Sequence, residues 1–533
     1  MSIPDLIRKM DELLQATYPS SDPGAAVIVM KEGQVLLRKG YGKANLELDV
    51  PVEPHMIFRI GSITKQFTVM CILMLLEEGK LSLQDEITRF LPDYPMQGRK
   101  ITIEHLLTHT SGIQSYTGLP EWLPLWRKDM TLEELINLFK DRPMEFEPGE
   151  KFSYNNSGYI LLGAIIEKIS GKSYAAFVQE RIFDRLGMTH SLYDDTARIV
   201  PGRVAGYALS NDGFANAAYL SMTQPYAAGS LASSVDDLAR WDAALYTGEL
   251  VRPETLSLAH QSYRLLDGSL TKYGYGWTVS DYEGFQFIEH AGGINGFLCG
   301  GVRVPAVRVY VALLTNLEAP KPDPDMLAFK LATMVIEKPY TAPTAIEMDV
   351  AALPDYVGVY SINEREEREV TCEDGQLYSR RTGGMRLKLI PYARDTFFIT
   401  EATDRFIFTR GEDGKVNGMQ VERRLGPVER APKVDKPLPQ ERLSIPLDSA
   451  MLPRYTGIFE LAPGMAITVS LVDGILYAQA AGQEKLALLA ESTLRLFPRE
   501  VELTLAYEFD DQGNAVSLTL YQGPQTFVCK KVG

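Results

Sequence analysis

Over the first 340 residues the apolar positions alternate between helical and strand periods. Leu6, Met10, Leu13 and Leu14 recur at three- and four-residue spacing, which predicts an amphipathic helix with Ser2 as its cap and Pro4 in its first turn. Ala25 to Met30 and Gln34 to Arg38 read as strands joined at Lys31-Glu32-Gly33, and Gly300 to Val304 with Val307 to Thr315 as a second hairpin. Helical periods fill the interval, over Gln66 to Glu78, Leu132 to Phe139 and Ser157 to Ser170, and another covers Met326 to Ile336. Strands at both ends with helices between them predict one antiparallel sheet covered by helices, an α+β domain over residues 1–340.

Beyond it the pattern shortens. Two Pro-rich passages, Pro339 to Pro354 and Gly426 to Pro453, read as linkers. Leu353-Pro354-Asp355-Tyr356-Val357-Gly358 is answered by Leu452-Pro453-Arg454-Tyr455-Thr456-Gly457. Asp374-Gly375, Gly383 and Gly414 are answered at the same offset by Asp473-Gly474, Gly482 and Gly513. A register kept that long indicates an internal duplication. Runs such as Glu369 to Cys372, Gln376 to Ser379, Thr468 to Val472 and Leu503 to Tyr507, separated by Asp-Gly or Gln-Gly turns, form a meander of hairpins. So many short strands in roughly 80 residues leave bare edges unless the sheet closes, so each copy is expected to be a small antiparallel β-barrel, over 351–425 and 451–533.

Composition narrows the class. With 45% apolar and 23% charged residues in 533, the chain is neither disordered nor fibrous. Cys71, Cys299, Cys372 and Cys529 stand far apart, which favours a reduced compartment and a cytoplasmic location. Residues 1–18 carry Asp5, Asp11 and Glu12 and no signal-type apolar run. No apolar stretch reaches membrane-spanning length, since even Tyr159 to Ile166 is bounded by Gly158 and Glu167. A formal net charge of −15 repels nucleic acid and anionic membranes. The expected partner is a small molecule or short peptide, with room for a homo-oligomer.

Three elements carry candidate chemistry. Gly61-Ser62-Ile63-Thr64-Lys65 opens a helix, so Lys65 lies one turn from Ser62 on the same face and can reach its hydroxyl; a lysine whose pKa is lowered by burial serves as a base. Ser269-Leu270-Thr271-Lys272 has the same spacing but follows an Asp267-Gly268 turn, where a lysine is merely solvated. Tyr154-Asn155-Asn156 stands at the entry to the helix that runs to Ser170. There a phenol can relay protons and an amide can bind substrate, unless Asn156 only caps the helix. His290-Ala291-Gly292-Gly293 lies between strand-like runs. Its small residues let a substrate approach the strand and let an N–H join that of Ser62 as an oxyanion hole, unless it is a glycine-rich turn with an incidental histidine.

Together, in the order Ser-x-x-Lys, Tyr-x-Asn, His-x-Gly, these elements resemble the penicillin-recognising serine hydrolases: class C β-lactamases, DD-carboxypeptidases, related esterases and D-aminopeptidases. Leu75-Leu76-Glu77-Glu78-Gly79-Lys80-Leu81, Leu106-Leu107-Thr108-His109-Thr110-Ser111-Gly112 and Gly187-Met188 add to the resemblance, which covers roughly residues 20 to 340. It implies Ser62 as nucleophile, Lys65 as its base and Tyr154 as proton relay. It further implies that Asn156 holds the substrate amide, that His290 and Gly292 line the pocket, and that the N–H groups of Ser62 and Gly293 form the oxyanion hole, with no metal and no cofactor. His290 stands where many penicillin-hydrolysing relatives carry a lysine, and a neutral imidazole attracts a substrate carboxylate less. The two barrels give the layout of the family's D-aminopeptidases, so D-amino-acid amides or peptides are the expected substrates. An esterase or weak β-lactamase is the alternative within the family.

Rival readings have less support. His105 and His109 stand at i and i+4, a zinc-compatible spacing, without a third ligand or a His-Glu-x-x-His order. No Gly-x-Ser-x-Gly elbow occurs. A non-catalytic ligand sensor is opposed by the intact Ser62, Lys65 and Tyr154. The barrel hairpins 380–386 and 480–485 are candidates to reach over the Ser62 cleft, the alternative being that the barrels are spacers or assembly modules.

Overall fold

Alternation along the strand Ala25–Lys31 (β1) decides the layering of the first unit. Val27 and Val29 face one core, with Leu6, Met10 and Leu14 of the helix Ile3–Thr17 (α1), while Ala26 and Ile28 face another. The main, six-stranded antiparallel sheet therefore has helices on both faces, as the hydrophobic pattern predicts, with three small two- and three-stranded sheets beside it among the described residues. The computed structural model describes residues 2–533 except 211–212, 365, 401, 440–441, 463–464, 481–482, 484 and 524. Contacts divide the chain into two compact units, Met1–Tyr340 and Thr341–Gly533.

In the first unit, β1 pairs with Gln34–Tyr41 (β2), and the remaining strands come from the far end of the segment. These are Thr278–Tyr282 (β3), Phe285–Ile294 (β4), Phe297–Val304 (β5) and Val309–Thr315 (β6), in the spatial order β3-β4-β5-β6-β1-β2. On the face shared with α1 lies the C-terminal helix Pro324–Val335. The opposite face carries the larger core, built around the helices Thr64–Glu77 and Asn156–Ser170. The first is buried from Thr64 to Leu75, as befits a mostly apolar helix enclosed on every side. Leu132–Asn137 is shorter than its sequence pattern, which runs on to Phe139.

One register detail positions the site. β3 pairs with β4 only from Phe285 to Glu289, so residues 290–294 of β4 are paired on one side alone, with β5. The free side meets the turn Gly61–Ile63 that begins the Thr64 helix. A Cβ placed on Gly292 would sit 2.0 Å from the Ile60 carbonyl oxygen, and one on Gly61, where φ is +48°, would sit 2.8 Å from the Gly293 nitrogen. Only glycine permits this approach of two backbones.

The second unit holds two closed eight-stranded antiparallel barrels, from Gly358–Ser361 to Glu429–Val434 and from Gly457–Ala462 to Gln525–Lys531, with consecutive strands adjacent. The duplication is visible inside them: the turns Val350–Tyr356 and Leu452–Tyr455 bury Tyr356 and Tyr455 at matching positions. One boundary differs from the sequence reading. The passage from Gly426 reads as a linker, and 351–425 as the first barrel, because of its prolines, yet Glu429–Val434 is the strand that closes that barrel. Pro432 sits in it opposite Gly418. A proline costs a strand its own N–H and leaves its carbonyl free, so near a strand end it is tolerated.

The hairpin 380–386 spends its tip on the second barrel. Gly383 N donates to Glu502 Oε2 at 2.7 Å, Arg386 N to Glu500 O at 2.7 Å, and Gln522 Nε2 to Gly383 O at 3.1 Å. In the other candidate hairpin, Ala481, Gly482 and Glu484 lie outside the described residues. Among the described residues no helix is long and apolar enough to cross a membrane.

Candidate active site

Ser62 lies in the 3-10 turn Gly61–Ile63, and the helix begins at Thr64, so Lys65 projects back over the turn. Its Nζ is 3.0 Å from Ser62 Oγ, 2.8 Å from Asn156 Oδ1 and 2.9 Å from the Ala228 carbonyl oxygen. Lys65 is fully buried, no carboxylate is among these partners, and burial pushes its pKa well below the usual lysine range. A neutral amine has two N–H bonds and one lone pair. Asn156 Oδ1 and Ala228 O can only accept, so they take the two N–H bonds and the lone pair is left facing the Ser62 hydroxyl.

Asn155, not Asn156, caps the Asn156–Ser170 helix: its side chain accepts from Gly158 N at 2.8 Å. Asn156 is thereby released to point inward. Its Oδ1 is on Lys65 and its Nδ2 donates to Thr117 Oγ1 at 3.1 Å. Tyr154, the residue before the cap, keeps 40% of its surface exposed as a wall of the cleft, while its hydroxyl faces Ser62. Desolvation of that hydroxyl raises its pKa above the ordinary phenol value, so it keeps its proton at neutral pH. Lys65 Nζ sits 4.8 Å from the Tyr154 ring centre and 5.3 Å from that of Tyr159.

His290 is brought to the same site but is buried in its wall. Its Nδ1 is 2.6 Å from the Ala291 carbonyl and its Nε2 is 3.0 Å from Tyr273 Oη. A carbonyl only accepts, so the proton is on Nδ1 and Nε2 accepts from Tyr273. Burial pushes its pKa down to about 3. The backbone of Gly292 and Gly293 meets that of Gly61 and Ser62, as described above.

Sequence reasoning missed Tyr273, Thr117 and the Ala228 carbonyl, which come from loops far away in the chain and carry no spacing signal. Ser269 of the decoy Ser-x-x-Lys donates to Asp267 Oδ1 at 2.6 Å within its own turn. His105 and His109 each use Nδ1 to accept a backbone N–H, from Thr102 at 3.3 Å and Asn155 at 3.0 Å.

The neutral imidazole has a consequence for stability. Below pH 6.5 the unfolded chain takes up a proton at His290 that the folded chain refuses until about pH 3. Stability therefore falls as pH drops through that window, by about 1.4 kcal/mol per pH unit from this group. Urea unfolding at pH 5.5 and 4.5 should give a decline shallower by about that amount in His290→Gln than in wild type. Equal declines would mean that His290 protonates normally.

Residues 11–333 match the family model described as Beta-lactamase. The chain belongs to the beta-lactamase family, and it is a serine hydrolase. A second model, a domain of unknown function (DUF3471), matches residues 342–436, which take in the first barrel. Penicillin-binding protein 4* of Bacillus subtilis (strain 168) is 29% identical over 412 residues, 73% of this chain and 90% of that protein. Protein flp of Staphylococcus aureus is 29% identical over 309 residues, 56% of this chain and 60% of its own. Among solved structures, the octameric penicillin-binding protein homologue from Pyrococcus abyssi matches with a TM-score of 0.58 at 27% identity, covering 81% of this chain and 100% of that one. A D-amino acid amidase from Ochrobactrum anthropi SV3 shares the fold, with a TM-score of 0.54 at 23% identity over 63% of this chain and 98% of that one.

Proposed function

We propose that this beta-lactamase-family hydrolase cleaves amide or peptide bonds of D-amino-acid substrates through an acyl-enzyme on Ser62. The observation that carries the mechanism is the buried Lys65 amine, 3.0 Å from Ser62 Oγ with an amide and a carbonyl oxygen, and no carboxylate, as its other partners. Ser62 Oγ attacks the carbonyl carbon as its proton passes to Lys65. The oxyanion forms against the N–H groups of Ser62 and Gly293. Tyr154, a neutral phenol on Ser62, gives its proton to the leaving amine and is reprotonated from Lys65. Water then enters by the same route in reverse and releases the acid.

The substrate class follows from charge. Neutral His290 offers no cation for a carboxylate, and the −15 chain favours a substrate bearing an α-amino group over an anionic one. The two-barrel layout resembling D-aminopeptidases points the same way. Asn156 is the proposed ligand of the substrate amide, which would replace Thr117 on Nδ2. Small neutral esters rank second, and β-lactams, whose carboxylate lacks a partner, are slow acylating agents. Self-association is proposed by analogy with the octameric Pyrococcus abyssi homologue.

The test is a panel of D- and L-amino-acid anilides, a short-chain aryl ester and a chromogenic cephalosporin. The D-anilide is expected to have the highest kcat/KM, with the L-anilide at least tenfold lower. Efficient cephalosporin turnover without D-anilide hydrolysis would overturn the substrate class, and labelling of Ser62 without any turnover would make the protein a sensor.

A further inference from the structure

His109 lies outside the proposed proton path, yet it accepts the backbone N–H of both residues that flank Tyr154. Its carbonyl oxygen accepts from Ser153 N at 3.0 Å and its Nδ1 accepts from Asn155 N at 3.0 Å. Its ring centre is 4.3 Å from that of Tyr154, between the two hydrogen bonds. The far side of the imidazole packs on Tyr159 at 5.1 Å and Tyr273 at 4.8 Å. His109 is buried, and its Nε2 has no hydrogen-bond partner among the described residues. A phenylalanine would fill the same space without an unpartnered Nε2 but would leave the Asn155 N–H without its acceptor, so packing alone does not account for a histidine here. Nδ1 is the atom that earns the residue its place. The backbone agrees: His109 adopts the left-handed conformation, φ +60°, which turns its carbonyl and its ring toward the same segment.

We propose that His109 is a positioning residue that holds the Asn155 backbone amide through Nδ1 and so keeps the Tyr154 hydroxyl facing Ser62. Asn155 N is the last donor before the helix proper, and the Asn155 side chain is committed to Gly158 N, so Nδ1 supplies the acceptor that its own loop lacks. Accepting at Nδ1 places the imidazole proton on Nε2 and requires the neutral form, which burial favours. The inference rests on the reading of Tyr154 as the proton relay, and the experiment separates the two.

Asparagine carries Oδ1 where histidine carries Nδ1 and tolerates the left-handed backbone, whereas glutamine carries its amide one bond too far. In the full-length chain, with the best ester or anilide of the panel, His109→Gln and His109→Ala should lower kcat by about 100-fold with KM changed less than threefold, the loss typical of a misplaced catalytic group. His109→Asn should recover at least tenfold of that loss. In a Tyr154→Phe background, His109→Gln should cost less than about threefold more, because it acts through the missing hydroxyl. Thermal melts are run on each variant; should His109→Ala not fold, the Asn and Gln pair, both amides in the same cavity, carries the comparison. Asn no better than Gln, or Gln as damaging without the Tyr154 hydroxyl as with it, would overturn the clamp. A Tyr154→Phe enzyme with wild-type kcat would instead overturn the relay on which it rests.

Discussion

Ser62→Ala is expected to lower turnover of every substrate by about 10⁴-fold or more while leaving the fold intact, because loss of a nucleophile leaves only binding and oxyanion stabilisation. The fold is spared because the Ser62 side chain is small and half-buried and faces Lys65 and Tyr154. Lys65→Met should be of similar severity, and the double variant should be little worse than either, since the pair acts as one unit. Steady-state kinetics with a melting curve for each variant checks both claims. Additive losses, or a Ser62→Ala enzyme that keeps its activity, would place the chemistry elsewhere.

Gly292→Ala is expected to have the next largest effect through backbone alone. The added Cβ would lie 2.0 Å from Ile60 O, a backbone atom that cannot rotate away, so β4 must move off the Gly61–Ile63 turn by more than an ångström. That shift widens the space between the Ser62 and Gly293 N–H groups. Loss of one oxyanion donor is worth about 10²- to 10³-fold in kcat, and the overpacking should cost about 1–3 kcal/mol of stability. Gly293→Ala is the control. Its Cβ would meet only the tip of Leu298 at 3.0 Å, a flexible contact, so it should be clearly milder. If both substitutions were equally tolerated, the close approach of the two backbones would have no part in catalysis.

The architecture was legible wherever one residue pattern answers to one structural need. The run Ala25 to Met30 ending at Lys31-Glu32-Gly33 marks β1, paired Asp-Gly turns mark the repeated meanders, and the helical period over Gln66 to Glu78 marks the helix beneath Ser62. The strand Glu429–Val434 was not, because local proline chemistry argued for a linker while closure of the barrel, a long-range demand, required an eighth strand. The site divides in the same way. Ser62 and Lys65 are three residues apart on one turn, so their 3.0 Å separation follows from helical geometry. Asn155 and Asn156 are chemically equivalent neighbours, and only the fold decides that the first caps and the second reaches Lys65. Tyr273, Thr117 and the Ala228 carbonyl enter through tertiary packing, which leaves no trace in local spacing.

Acyl transfer by this chain turns on a covalent step at Ser62. Brief incubation with a penicillin or a slow ester, acid quenching and intact-mass measurement should show one added acyl group, and peptide mapping should place it on Ser62. The adduct should be absent from Ser62→Ala and formed far more slowly in Lys65→Met. Hydrolysis with no adduct on any time scale, or an adduct mapped to another residue, would contradict the assignment of Ser62 as the nucleophile.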